Sequence, residues 1–203
     1  ATGFRRNGAV AVCQTEDRRF ELLRGAAMAR AFGIEMHEVS TKEAGELVPG
    51  MRTDDLVSAF YLPRDGITSP IETTRALAKG AKMRGAKIFE NVKVTGIKTE
   101  NNAVCGVSTD LGDVNCEFVV NCAGMWARQL GALNGVTIPN QSTEHYYLIT
   151  EPFEGMTRDL PIIEDPSCHG YYREETGGLM LGLFAPVLPR GILALDGEQA
   201  RGG

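Results

Sequence analysis

No stretch of this chain approaches the ~20 consecutive apolar residues needed to cross a bilayer, and its opening, ATGFRRNGAV, carries no apolar core of a secretory signal. There is no block of Lys or Arg either. Twenty-one basic residues stand against 26 acidic ones, for a net charge of -5, which argues against a nucleic-acid partner. Five cysteines (Cys13, Cys105, Cys116, Cys122 and Cys168) are odd in number, irregularly spaced and never paired as CxxC. A disulfide framework and a zinc site are both disfavoured, and buried reduced thiols in a reducing compartment are the simpler expectation. His37, His145 and His169 share no HExxH or other ligand spacing, so no metal site is expected. GxGxxG is missing as well. What is present is globular: 43% hydrophobic and 23% charged residues exclude a disordered chain, and 203 residues allow one or two modest domains.

The chain shows no internal repeat and no low-complexity segment. Gly8–Cys13 reads as a strand. Thr15 caps a helix over residues 16–32 with Phe20, Leu23, Ala27 and Ala31 on one face and Gly33 as its stop. Ile34–Val39 reads as a strand, and Ser40 with Glu43 forms a capping box for a short helix ending before Pro49–Gly50. Ala59–Leu62 reads as another strand. Ser69, Pro70 and Glu72 are an N-cap, a first-position proline and a third-position carboxylate for a helix to about Arg84, with Ile71, Thr74, Ala78 and Ala81 inward. A β-rich stretch follows. Val92, Val94 and Ile97 lead to a turn over Glu100–Asn102, then Ala103–Ser108, a second turn, and Val114–Cys122. Within the last, Phe118–Cys122 is nearly continuous and apolar, as for a strand buried on both faces. Glu144–Glu151, Tyr171–Glu174 and Leu179–Phe184 read as longer strands with a Gly177–Gly178 hairpin, and Pro186–Gly203 as an irregular tail.

Three segments are candidates for chemistry, each with a structural reading beside it. Asn121-Cys122-Ala123-Gly124-Met125-Trp126 is a strand-to-helix turn. Its backbone can lie against a flat or anionic group, or its Gly can relieve crowding while Trp126 packs in a core. His145 with Tyr146 and Tyr147, and Tyr171 with Tyr172 and Arg173, put one Tyr of each pair on each sheet face. A His and a Tyr on one face can bind a carboxylate or accept a proton, or can simply be a hydrogen-bonded aromatic sheet. Arg64–Pro70 is fully accounted for as a turn and helix cap.

In this order, Asp65-Gly66 to Pro70, Ala76-Leu77-Ala78 to Gly85-Ala86, Val92–Ile97, Val119–Ala127, Glu144–Thr150 and Tyr171-Tyr172-Arg173 resemble the FAD-dependent amine oxidoreductases of the D-amino-acid-oxidase superfamily, nearest the dimethylglycine and sarcosine dehydrogenase or oxidase branch, over residues 2–186. The resemblance implies an α+β and α/β architecture: a partial glutathione-reductase-like FAD domain plus a mainly antiparallel β substrate domain. It divides the chain into a partial FAD-binding domain with the start of the substrate lobe (1–138), substrate-domain strands (139–185) and the tail (186–203). It implies FAD as cofactor, with Val94 near the adenine and Ala123, Gly124, Met125 and Trp126 along the flavin and pyrophosphate. It implies oxidation of a small N-methyl amino acid by hydride transfer to the flavin. The iminium is then hydrolysed, or its one-carbon unit passes to tetrahydrofolate through a domain not found in this sequence. His145 and Tyr171 match the active-site pair that positions the amine and favours its neutral form.

By the same resemblance, electrons leave to an electron-transfer flavoprotein or to oxygen, and the compartment is the mitochondrial matrix in a eukaryote and the cytoplasm otherwise. The family's GxGxxG strand and its C-terminal folate domain find no counterpart, and no residue matches a covalent flavin attachment. The expectation is a truncated chain that alone binds FAD weakly or not at all and turns over nothing. The rival is a non-catalytic regulatory relative of the pyruvate dehydrogenase phosphatase regulatory subunit kind.

Overall fold

The computed structural model describes residues 2–184, so the expected tail over 186–203 lies outside the described residues. In chain order the first elements are β1 (Ala9–Cys13), α1 (Glu16–Ala31), β2 (His37–Val39), α2 (Thr41–Leu47), β3 (Ser58–Leu62) and α3 (Pro70–Met83). Then come β4 (Val94–Glu100), β5 (Ala103–Thr109), β6 (Gly112–Asn115), a 3-10 turn (Gly124–Trp126) and α4 (Ala127–Ala132). The last are β7 (Tyr146–Ile149), β8 (Ile162–Asp165), β9 (Gly170–Glu175) and β10 (Gly178–Leu183). Residues 2–84 and 145–184 form one compact unit, and residues 85–144 form a second.

The first unit is built on a seven-stranded sheet in the order β2-β3-β1-β8-β9-β10-β7. β1 is its hinge point: it runs antiparallel to β3 and parallel to β8, with Ala9 opposite both Leu62 and Ile162. The remaining pairings are antiparallel. Every residue of AVAVC in β1 is buried. Ala11, Cys13 and Phe60 pack with Leu22, Leu23 and Ala26 of α1 on one face. Val10, Val12 and Ala59 pack with Ala44 and Val48 at α2, and with Leu160 and Ile163, on the other. A strand covered on both faces accounts for an unbroken apolar run better than alternation does.

Helix boundaries follow local chemistry. The Thr15 hydroxyl accepts the Arg18 N–H, and Glu16 and Asp17 sit in the first turn of α1, where the helix dipole favours anions. Ser40 and Glu43 make the full reciprocal capping box of α2. Ser69 caps α3 ahead of Pro70. The inward face expected for α3 is different, however. Ile71 is 64% exposed and Thr74 is exposed too, with no residue of α3 buried. Self-capped, the helix does not need cover to keep its ends satisfied.

The second unit holds the three-stranded antiparallel sheet β4-β5-β6. Asn101 and Asn102 both take positive φ (50 and 64), as a tight hairpin turn between β4 and β5 requires. Phe118–Cys122 is not a buried strand. β6 already ends at Asn115, the segment pairs with no strand among the described residues, and Phe118 and Val120 are 85% and 81% exposed. Apolar composition makes a strand only where a neighbour takes up its N–H and C=O groups. The cysteines are free, as expected, but only Cys13 is buried, and Cys122 and Cys168 are exposed.

Glu174 ties the first unit together. Its buried carboxylate accepts the Gly177 N–H (2.9 Å) in the β9–β10 hairpin and faces the Arg5 guanidinium at 3.4 Å. Arg5 also exchanges backbone hydrogen bonds with Ile67 (2.8 and 3.0 Å). The Gly177 N–H above all, then Arg5, holds the Glu174 carboxyl below the ordinary glutamate range. A depressed folded value means that this carboxylate stabilises the fold fully above the unfolded glutamate value of about 4.3, and that its contribution fades as pH falls through the lower, folded value. Denaturant titration of Glu174→Gln should show a loss of about 1–3 kcal/mol near neutrality that shrinks in acid; a loss independent of pH would contradict this assignment. Phe60→Ala, at a fully buried site, should cost about 3–5 kcal/mol in the same measurement.

Candidate functional site

In the second unit the chain turns sharply after Asn121. The Asn121 side chain accepts the Ala123 N–H (3.2 Å) and donates to the Ala127 carbonyl (2.9 Å), folding the backbone into the 3-10 turn and α4. The carbonyls of the corner are held by side chains that follow later. Asn140 donates to Gly124 O (2.9 Å) and Ser142 to Met125 O (3.2 Å). Gly124 has φ +55, and a Cβ placed there would meet nothing within 4 Å. Ala123 and Gly124 therefore present a fixed backbone, nearly free of side chain, to open space. Trp126 is 58% exposed and is not a core residue. Val94 opens β4, which has only β5 beside it in the sheet, so one backbone edge of β4 has no strand partner among the described residues. These features fit a flat ring at the Gly124 corner and a planar hydrogen-bonding group at the Val94 edge. The sequence holds no GxGxxG loop that would cradle a pyrophosphate.

In the first unit, cross-strand register sets one face of the sheet. Tyr171 lies opposite Gly182 and Glu164, Arg173 opposite Met180, and Tyr147 opposite Gly182. A Cβ on Gly182 would lie 2.0 Å from Tyr171 Cζ and 2.2 Å from its hydroxyl oxygen, so the Tyr171 ring occupies the space that a side chain at Gly182 would fill. Phe184 comes next on β10's line, its N–H bonded to His169 O at 2.8 Å. The Phe184 ring centroid stands 5.2 Å from that of Tyr171, at a tilt of 39°. It stands 5.0 Å from that of His145, edge-on at 76°. His145 and Tyr171 thus share one aromatic neighbour. An open hollow of about 830 Å³ on this face is lined by Tyr171, Arg173, Met180, Phe184 and Glu164. Within it, the Arg173 guanidinium pairs with Glu175 (2.8 Å) and donates to the Met180 sulfur (3.2 Å).

Tyr172 belongs to the opposite face. It lines a cavity of about 340 Å³ with Val12, Met51, Leu160, Ile163 and Leu179. Its phenol is pushed up to about 12, first by its hydrogen bond with the Cys168 sulfur (3.6 Å) and then by burial. It is no acid–base group at neutral pH.

Of the residues singled out in the sequence, Val94 and Ala123–Trp126 lie in the second unit and His145 and Tyr171 in the first. Sequence reading missed Gly182, Phe184, Asn140 and Ser142. A glycine inside an otherwise apolar strand, as in GLMLGL, was the available signal for Gly182, because it marks a close approach. Among the described residues no group of three or more His, Cys, Asp or Glu could hold a metal ion.

Known proteins resemble this chain over nearly its full length. It is 36% identical over 207 residues to the mitochondrial pyruvate dehydrogenase phosphatase regulatory subunit of Mus musculus, covering 98% of this chain and 24% of that protein. It is 36% identical over 186 residues to the mitochondrial sarcosine dehydrogenase of Homo sapiens, covering 89% of this chain and 20% of that one. The chain therefore spans a quarter or less of these relatives. Among solved structures, the L-proline dehydrogenase from P. horikoshii superposes with a TM-score of 0.79 at 28% identity, over 88% of this chain and 48% of that one. The profile of the DAO family, described as FAD dependent oxidoreductase, matches residues 1–200. With the profile running from end to end and a solved oxidoreductase following the same fold, the chain belongs to the DAO family of FAD-dependent oxidoreductases.

Proposed function

We propose that this chain carries the amine-binding face of a flavoenzyme that oxidises small N-methyl amino acids of the sarcosine or dimethylglycine type. The observation that carries the reading is that His145 and Tyr171 both pack against Phe184, which with Tyr171 lines an open hollow on one sheet face. FAD, when bound, supplies the acceptor for a hydride. The chain's own residues do the rest. The Tyr171 hydroxyl and the His145 imidazole are the polar groups that orient the carboxylate-bearing amine. By hydrogen bonding they favour its neutral form, since only a free nitrogen lone pair can drive hydride from the neighbouring carbon. Phe184 and Met180 give the wall an apolar surface suited to an N-methyl group. The iminium product then loses its one-carbon unit by hydrolysis or by transfer to tetrahydrofolate.

In this reading, the Ala123–Trp126 corner and the Val94 edge serve the cofactor, within a partial glutathione-reductase-like domain. Residues 1–138 include that domain and the start of the substrate lobe, and residues 139–185 complete the substrate strands. Electrons pass on to an electron-transfer flavoprotein or oxygen. The mitochondrial relatives support a mitochondrial matrix location in a eukaryote, with the cytoplasm as the place otherwise, and no described helix is long and apolar enough to cross a membrane. The 98% coverage by a phosphatase regulatory subunit supports a second reading, a non-catalytic regulatory relative that keeps the fold.

Full-length protein, mixed anaerobically with sarcosine or dimethylglycine, separates the two readings. Loss of the oxidised-flavin absorbance band is expected of the enzyme; no bleaching with either amine supports the regulatory relative. His145→Ala and Tyr171→Phe should each slow the bleaching by about 10²-fold or more, and unchanged rates for both would remove them from the site. Gly124→Ala forces a side chain onto a left-handed backbone at about 1 kcal/mol. It should weaken flavin binding, read by quenching of FAD fluorescence, without changing the secondary structure seen by circular dichroism; unaltered binding would move the cofactor away from this corner.

A further inference from the structure

Phe184 is 47% exposed and belongs to neither buried cluster of the first unit. It is therefore not a core residue, and its truncation opens no internal cavity. Yet its place is tightly determined. β10 is paired on both sides, to β9 and β7, and the Phe184 N–H is anchored on the His169 carbonyl just past the strand's end. Both of its ring contacts fall inside the 4.5–7 Å window of favourable aromatic pairs, one tilted and one edge-on. Among the described residues Phe184 is the ring packed against that of Tyr171, and the His145 ring shares the same partner. Gly182 supplies the other half of the seat, because any side chain there would occupy the position of the Tyr171 ring.

We infer that Phe184 is a positioning residue for amine oxidation. Seated on Gly182 through Tyr171, its ring sets the separation and tilt of the Tyr171 hydroxyl and the His145 imidazole. This inference rests on the reading in which those two groups touch the substrate. Phe184 acts through them and leaves affinity largely to the rest of the hollow. The signature is a loss in the limiting rate, with little change in the substrate concentration giving half that rate.

The test uses full-length flavoprotein and anaerobic flavin reduction by sarcosine or dimethylglycine, whichever bleaches the parent. Phe184→Leu should lower the limiting reduction rate about tenfold, a size typical of coupling between touching residues, while half-saturation moves by less than about twofold. Phe184→Tyr, which keeps the ring, should recover most of the rate lost in Phe184→Leu. On the Tyr171→Phe background and on the His145→Ala background the same Leu change should cost clearly less than in the parent, because one of the two groups it positions is already gone. Equal losses on all backgrounds, or no loss in the parent, would overturn the inference. A parent rate unaffected by His145→Ala and Tyr171→Phe would instead sink the site reading. Fluorotyrosine-labelled protein then decides the geometry alone: Phe184→Leu and Gly182→Ala should each shift the Tyr171 resonance and leave that of Tyr172, on the opposite face, in place. An unmoved Tyr171 signal would overturn the positioning role.

Discussion

β1 accepts neighbours on four sides at once: β3 along one edge, β8 along the other, α1 residues over one face and α2 residues over the other. Five small or β-branched residues, AVAVC, make that possible. Alanine alternates with valine, so α1 closes in on the Ala11 and Cys13 face, while Val10 and Val12 fill the space on the other face beneath α2 and the Tyr172 cavity. Cys13 completes the strand as a small, fully buried hydrophobe, and burial is the chief reason its thiol is pushed up and inert. The parallel pairing with β8 is what joins the β1–β3 half of the sheet to the β8–β10 half that carries Tyr171 and Phe184. Everything proposed for the amine-binding face is therefore referred, through strand register, to this one strand.

Register also decides which tyrosine has chemistry available to it. Tyr171 and Tyr172 are adjacent, and successive side chains of a strand point to opposite faces. The pairings of Tyr171 with Glu164 and Gly182 send its ring over the glycine toward Phe184. The same pairings send Tyr172 into the apolar cavity, where its phenol stays protonated. A slip of one residue would exchange the two roles. Glu174, three residues beyond Tyr171, closes the β9–β10 turn by accepting the Gly177 N–H.

The parts of this fold that were legible in the sequence are those made by local chemistry. Thr15, Ser40 with Glu43, and Ser69 with Pro70 placed three helix starts, because each cap satisfies backbone groups within a few residues of itself. The β4–β5 turn was legible for the same reason. Phe118–Cys122 was misread, because whether an apolar run becomes a buried strand depends on neighbours elsewhere in the chain. β1 and this segment look alike in composition, and only β1 has partners on both edges. His145 and Tyr171 stood out by residue type and by family resemblance. The floor and wedge between them, Gly182 and Phe184, did not, because their meaning lies in cross-strand pairing and in ring contacts between distant segments.

The parallel seam between β1 and β8 orders events on the ribosome. Val10 and Ile163 face each other across it, so the N-terminal strand emerges long before its second partner exists. At about 5–20 residues per second of synthesis, that interval is on the order of ten seconds. β3 arrives early and can cover one edge, but the pairing of AVAVC with β8 waits until Ile162–Asp165 has left the exit tunnel. A nascent chain paused before that point holds an apolar strand that still lacks one partner, and such strand edges are where wrong pairings begin.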